Sequence, residues 1–387
     1  MEKRELGIYV HIPFCVRKCA YCDFLSFPAS GQAQQSYFHA LRREIASFEP
    51  KGEYEAVCVY FGGGTPSLPE PEQITGILDV IRGAFDIREG AEITLECNPG
   101  TLDRNRLEQY RRAGFNRLSI GLQSADNTML KALGRIHTFE KFREEYLEAR
   151  DMGFDNISTD LMYGLPMQTL SSWQDTLEKI TQLSPEHVSA YSLIIEEGTP
   201  FWDRYHEDMQ ERQRGGRPLF LPDEETESQM LEMLKSCLAD IGMHRYEISS
   251  YAKPGYESRH NTGYWLRREY AGFGLGASGQ IGKFRYRNTA SLADYLQSAG
   301  TEGCVEEKTA LSREDEISET MILGLRMVRG TDLQRFEERF HVRAEDLFGE
   351  QIRRFVSAGL LDIKDHHLRL TDRGFDVSNL VMCEFML

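Results

Sequence analysis

Between residues 7 and 193, short apolar runs alternate with longer stretches whose apolar positions recur at helical spacing. The runs 7–12, 56–61, 91–97, 117–121, 156–162 and 188–193 are β-branched and mostly apolar, as strands of a covered parallel sheet are. Between them, 34–48, 71–84, 103–113, 139–152 and 170–183 read as amphipathic helices. Ser171 and Ser172 are expected helix caps, and Gly114 and Gly153 expected stops. Six β/α units in succession predict an α/β fold, a parallel barrel or an open part of one. Chemistry in such barrels collects at the C-terminal strand ends. The polar and glycine-rich segments fall there: residues 15–22, 62–66, 96–99, 121–123 and 160–166.

The pattern changes after the sixth strand. Residues 201–225 are charged and rich in breakers such as Gly215, Gly216 and Pro218, which predicts a surface loop. A helix over 224–241 and short aromatic strands to Tyr286 should follow. From Leu311 the chain reads as three helices, a hairpin (360–363 and 368–370) and a last helix, a small winged-helix-like unit. The expected division is a barrel over 1–200, a connecting region over 201–310 and the helix-rich unit over 311–387.

With 387 residues the chain can form two or three domains. Sixty-one acidic against 45 basic residues give a net charge of −16, which argues against nucleic acid as a main partner. Of the 8 cysteines, Cys58 and Cys97 lie in strand-like runs and read as small buried hydrophobes. Nothing suggests a disulfide framework, a secretory leader or a membrane span, so a reducing cytoplasm is expected.

Cys15, Cys19 and Cys22 form Cys-x-x-x-Cys-x-x-Cys directly after the first strand. Three thiolates can hold three irons of a cubane and leave the fourth iron open to a second molecule. Gly62-Gly63-Gly64-Thr65-Pro66 would let a ligand reach the backbone, and without a lysine it is no triphosphate loop. Glu96, Gln123, Arg135 and Asp160 follow near successive strand ends. Carboxylates can accept hydrogen bonds from ribose hydroxyls, and an arginine can pair with a carboxylate. The segment Gly274-x-Gly276-x-x-Gly279 matches a dinucleotide fingerprint, but no clear strand is expected before it and no helix after it.

The cysteine loop resembles that of the radical S-adenosylmethionine (SAM) superfamily. Tyr9-Val-His11-Ile-Pro13-Phe-Cys15, Leu133-Gly-Arg135-Ile-His137 and Asp160-Leu-Met-Tyr-Gly164-Leu-Pro166 further resemble the family of oxygen-independent coproporphyrinogen III oxidases and related haem chaperones, over nearly the whole chain. The resemblance implies a 4Fe–4S cluster on Cys15, Cys19 and Cys22. It implies SAM bound by Tyr9, Gly63, Gly64, Thr65, Glu96, Gln123, Arg135 and Asp160, with Tyr21 near the adenine.

Two features separate the branches. The decarboxylase has a fourth cysteine where Phe24 stands, and an extended segment where only eight residues precede Tyr9. The run His260-Asn261-Thr-Gly-Tyr264-Trp265 is similar to a chaperone signature and implies haem contact, with His260 as axial ligand and Tyr264 and Trp265 beside it. Ser278 departs from the histidine usual in these relatives. The resemblance therefore implies a haem chaperone that serves haem-accepting proteins; transient contact with membrane haem enzymes and the oligomeric state are left open. The rival expectation is radical SAM decarboxylation of coproporphyrinogen propionates.

Overall fold

The computed structural model describes residues 3–48 and 51–387. Strands β1 (Arg4–Ile12), β2 (Tyr54–Gly63), β3 (Asp86–Cys97), β4 (Arg117–Gln123), β5 (Ile157–Tyr163) and β6 (His187–Ser192) lie side by side in chain order, every pair parallel. Helices α1 (Gly31–Ser47), α2 (Pro71–Ala84), α3 (Arg104–Ala113), α4 (Asn127–Ala132), α5 (Phe139–Asp151) and α6 (Leu170–Leu183) run between them. Thr169, not Ser171 or Ser172, caps α6: its hydroxyl accepts from the Ser172 amide at 3.2 Å, and the Ser172 hydroxyl accepts from the Thr169 amide at 3.0 Å. Gly114 (φ 96°) and Gly153 (φ 83°) take the left-handed turns that follow α3 and α5.

The two faces of these strands differ. Leu6, Ile8, Val10, Val59, Phe61, Leu95, Leu118 and Ile120 join residues of α1, α2 and α3 in the main core. The alternate positions carry Tyr9, Tyr60, Glu96, Arg117, Ser119, Asp160 and Ser189. All of these but Tyr9 line one cavity, so the sheet curls into a partial barrel with a polar lumen. The expectation of mostly apolar strands therefore holds only for the outer face.

The segment expected to be a loop holds α7 (Pro200–Gln213), ahead of α8 (Glu224–Ala239). Thr199 caps α7 and Pro200 starts it, while the charged residues that suggested a loop form its solvent side. Then β7 (His244–Arg245) and β8 (Ser250–Ala252) extend the sheet beyond β6. Helix α9 (Arg259–Trp265) enters the far end of the lumen. Its Arg259 and His260 amides donate to the Glu92 carboxylate at 3.1 and 3.3 Å.

On the other edge β9 (Tyr270–Phe273) pairs parallel with β1, followed by antiparallel β10 (Ser278–Ile281), β11 (Phe284–Asn288) and β12 (Val305–Ala310), with α10 (Leu292–Ser298) between the last two. A strand thus does precede the glycine run 274–279, contrary to expectation. Another strand, β10, follows it in place of a helix, so the dinucleotide context is still missing.

The C-terminal unit contains α11 (Arg313–Leu325), α12 (Leu333–Phe340) and α13 (Ala344–Ser357). Its three-stranded sheet has β15 (His367–Leu370) between β13 (Thr331–Asp332) and β14 (Leu361–Lys364), and α14 (Asp372–Asp376) and α15 (Ser378–Met382) end it. Ile317, Met321, Phe336, Phe348 and Phe385 belong to its own core. No helix among the described residues is long and apolar enough to cross a membrane.

Candidate functional site

A cavity of about 550 Å³ opens at the C-terminal ends of β2 to β6. Cys15, Cys19 and Cys22 lie on its rim, half-buried. The loop is held at both ends: the Cys15 amide donates to the Phe27 carbonyl at 3.1 Å, and the Ala20 amide to the Leu133 carbonyl at 3.0 Å. Among the described residues no three His, Cys, Asp or Glu side chains converge on a single-ion position. A cubane instead takes one cysteine per iron, so the donor set suits the larger group.

The glycines beside the loop leave no room for a side chain. A Cβ on Gly64 would stand 2.8 Å from the Phe14 carbonyl oxygen and 3.0 Å from Cys15 Sγ. Gly63 has φ 116°, and a Cβ there would meet the His11 ring at 2.6 Å. Two polar chains meet next to them. Thr65 Oγ1 is 3.6 Å from Cys15 Sγ and accepts from Asn98 Nδ2 at 2.7 Å. Arg135 Nη2 donates to Asn98 Oδ1 at 2.6 Å and to the Gly121 carbonyl, and Nη1 lies 3.8 Å from Cys19 Sγ. Thr65, Asn98 and Arg135 thereby link two of the three cysteines.

Glu96 accepts from Tyr60 Oη at 2.7 Å and from the Gly63 amide at 3.1 Å. Burial pushes its pKa up to about 7 despite these bonds. Burial also pushes Asp160 up to about 6; Ser119 Oγ donates to it at 3.4 Å. Gln123 closes β4 with φ 72°, where the register with β5 slips after Gly121. A strained non-glycine backbone at a cavity wall is typical of a binding position. Arg117, 2 % exposed, reaches the lumen from below; its nearest carboxylate is Glu92 at 4.0 Å, and its Nε has no hydrogen-bond partner.

The cavity wall thus gathers Tyr21, Gly63, Gly64, Thr65, Glu96, Gln123, Arg135 and Asp160 around the three cysteines. Tyr9 is set back from the wall. His11 Nε2 donates to the Leu25 carbonyl at 2.9 Å, so Nδ1 is the acceptor for Tyr9 Oη at 3.0 Å. Burial lowers the His11 pKa, which keeps that neutral form.

His260, Tyr264 and Trp265 lie away from the rim, on α9. His260 is 4 % exposed. Its ring stacks on Tyr60 with centroids 4.5 Å apart and meets the edge of Tyr264 at 4.6 Å, and Nδ1 is 3.8 Å from Cys58 Sγ. Burial drives its pKa down to about 3. The helix instead offers Asn261 to the cavity. Trp265 stacks under the Arg326 guanidinium at 4.1 Å. Ser278 begins β10, outside the cavity wall.

Sequence reasoning missed Asn98, Tyr60, Arg117 and Asn261 as wall residues. Asn98 lies two residues beyond Glu96, at a strand end already marked as notable, and Asn261 lies within the run around His260; Tyr60 and Arg117 carry no spacing signal.

The Radical SAM superfamily model matches residues 9–180, and the HemN C-terminal domain model matches 311–377. Heme chaperone HemW of Lactococcus lactis subsp. lactis is 38% identical over 387 residues, covering 100% of this chain and 99% of that protein. Heme chaperone HemW of Bacillus subtilis is 35% identical, covering 98% of each. Among solved structures, coproporphyrinogen III oxidase (HemN) from Escherichia coli superposes with a TM-score of 0.83, covering 99% of this chain and 90% of that one. At 24% identity that likeness establishes the shared fold.

Proposed function

We propose that this protein, which belongs to the HemW family of the radical SAM superfamily, is a haem chaperone that binds haem and passes it to acceptor proteins. The observation that carries this reading is the end-to-end match to proteins named heme chaperones, through both the barrel and the C-terminal unit. Phe24 supports it: where the decarboxylase branch is expected to carry a fourth cysteine, this chain places a ring that is 70% exposed at the cavity rim.

The superfamily's cofactors are a 4Fe–4S cluster and SAM, which together supply one-electron chemistry. In this chain Cys15, Cys19 and Cys22 would hold the cluster. Gly63, Gly64 and Thr65 offer backbone and hydroxyl groups to SAM. Arg135 would pair with its carboxylate, Glu96 and Asp160 would accept from its hydroxyl or amino groups, and Gln123 and Tyr21 would flank it. Tyr9 acts through His11, which fixes the floor under Gly63. Of the proposed boundaries, the one near residue 310 sets off the C-terminal unit with its own core, whereas the segment after about residue 200 shares the barrel's sheet and core and contributes α9 as the lumen plug.

Haem ligation by His260 requires a state in which α9 has left the lumen, because Tyr60 and Tyr264 cover the ring in this packing. The test is an anaerobic haem titration of cluster-loaded protein, followed by absorption, with His260→Ala beside the parent. Saturation near one haem per chain is expected, with a changed Soret band in the variant. Absence of saturable binding by the parent would overturn the chaperone reading. An unchanged band in the variant would move the ligand away from His260.

A further inference from the structure

Directly after α9 the chain enters a second cleft, of about 360 Å³, between the foot of the barrel and the C-terminal unit. Arg4 from β1, Arg267 and Arg268 from the turn after α9, and Arg335 and Arg339 from α12 all line it, with Leu266 between them. The carboxylates there are shared out among the guanidiniums, with Glu53 also on Arg4 at 3.3 Å and Glu316 also facing Arg267 at 3.9 Å. Glu5 is divided between Arg268 at 3.1 Å and Arg88 at 2.7 Å, and Glu269 pairs with Arg4 at 3.3 Å. Glu319 is divided between Arg267 at 3.1 Å and Arg285 at 2.8 Å, and Glu316 serves Arg339 at 3.2 Å. No ion pair or hydrogen bond of the Arg335 side chain occurs among the described residues.

Three features of this cluster work against the fold on its own. Arg335 and Arg339 are one helical turn apart on one face, a destabilising spacing for like charges. Arg267 is 7 % exposed, and its Nη2 is buried without an acceptor. It also takes a left-handed φ of 52°, unfavourable for a non-glycine residue. A guanidinium fork matches carboxylate and phosphate oxygens two at a time, so such a ligand relieves the charge that the exposed, unpaired Arg335 and its neighbour Arg339 bring together.

We propose that this cleft binds a doubly anionic group, either a pair of neighbouring carboxylates or a phosphate. The assignment stands on the cleft alone. Joined to the haem reading, on which that part rests, the carboxylate pair is the two propionates of haem, held one residue beyond the His260–Trp265 helix.

The test uses the full chain with Arg335→Ala/Arg339→Ala, two exposed side chains of α12, and Arg335→Gln as a milder variant. Haem and its dimethyl ester are titrated into each by absorption, and inorganic phosphate is titrated against thermal unfolding at constant ionic strength. The parent should bind haem about tenfold tighter than the ester, since one charge-assisted contact is worth about that factor, and the double variant should bind both alike. Equal binding of haem and ester, with phosphate raising the parent's midpoint but not the variant's, supports the site and assigns it to phosphate. No ester preference together with no phosphate effect, or effects that survive in both variants, overturns it. If the parent binds no haem at all, the chaperone reading falls, and the phosphate arm decides this site by itself.

Discussion

The mouth and the floor of the same lumen are both polar, yet they are built in opposite ways. At the mouth, half-buried cysteines, a positive-φ Gln123, and Gly63 and Gly64 with no space for a Cβ surround an open cavity. At the floor, His260, Tyr60 and Tyr264 pack ring on ring, and Glu92 is tied to the first amides of α9. Irregular backbone and open donors mark a place prepared for a ligand; stacked rings and capped amides mark a plug. Substitutions at the two ends should therefore fail in different ways.

The largest effect is expected at the mouth. Cys19→Ala should reduce cluster content to near zero after anaerobic reconstitution, measured as iron and sulfide per chain. Compared without cluster, its unfolding midpoint should barely move from the parent's, because a half-buried loop thiol contributes little packing. Full cluster retention would remove this loop from the ligand set. The floor should show the reverse. His260→Ala leaves a hole between Tyr60 and Tyr264 and should cost roughly 2–4 kcal/mol by denaturant titration, with cluster content unchanged. A variant as stable as the parent would mean that α9 does not rest in the lumen, and the comparison would collapse.

A smaller effect isolates the link between Cys15 and Cys19. Asn98→Ala removes the acceptor of Arg135 Nη2 and the donor to Thr65, so Arg135 loses one of its two anchors. SAM affinity should fall about tenfold, the worth of one or two hydrogen bonds, while cluster content stays near that of the parent. Isothermal titration of cluster-loaded protein checks this, and unchanged affinity would show that the Gly121 carbonyl alone positions Arg135.

The order of the six strands and the cysteine loop were legible because each is local: an apolar run, a turn, three thiols within eight residues. The charged stretch of α7 misled because charge and downstream glycines suggest a loop, whereas Thr199 and Pro200 at its start decide the helix. The lumen side of the site was only half visible. Glu96, Gln123, Arg135 and Asp160 sit where motifs predict, but Tyr60, Arg117 and Asn261 meet only when β2, β4 and α9 converge. For the same reason the sequence could place His260 beside Tyr264 and Trp265 without revealing that Tyr60 and Tyr264 pack against it while Trp265 turns to Arg326.

The finest distinction between mouth and floor is in protons. Glu96 and Asp160 are raised by burial to about 7 and 6, above ordinary carboxylates. A raised folded pKa means that the fold binds the proton more tightly than the unfolded chain does. The stability this contributes is therefore complete below about 4.5 and is lost as pH rises through about 7. Ligand hydroxyl or amino groups that donate to these carboxylates favour the charged forms, so SAM binding should release protons and tighten between pH 6 and 7. Titration calorimetry in buffers of different ionisation enthalpy should find less than one proton released per SAM at pH 6.5 and a smaller release in Glu96→Gln. Glu44 and Glu145, also raised to about 7, lie outside the cavity wall, so they tilt overall stability with pH but should leave this release unchanged. His260, driven down to about 3, stays neutral in the fold throughout, so floor substitutions should leave the proton release on SAM binding alone. A release that vanished with His260→Ala and survived Glu96→Gln would place the titrating group at the floor and reverse the assignment of the two ends.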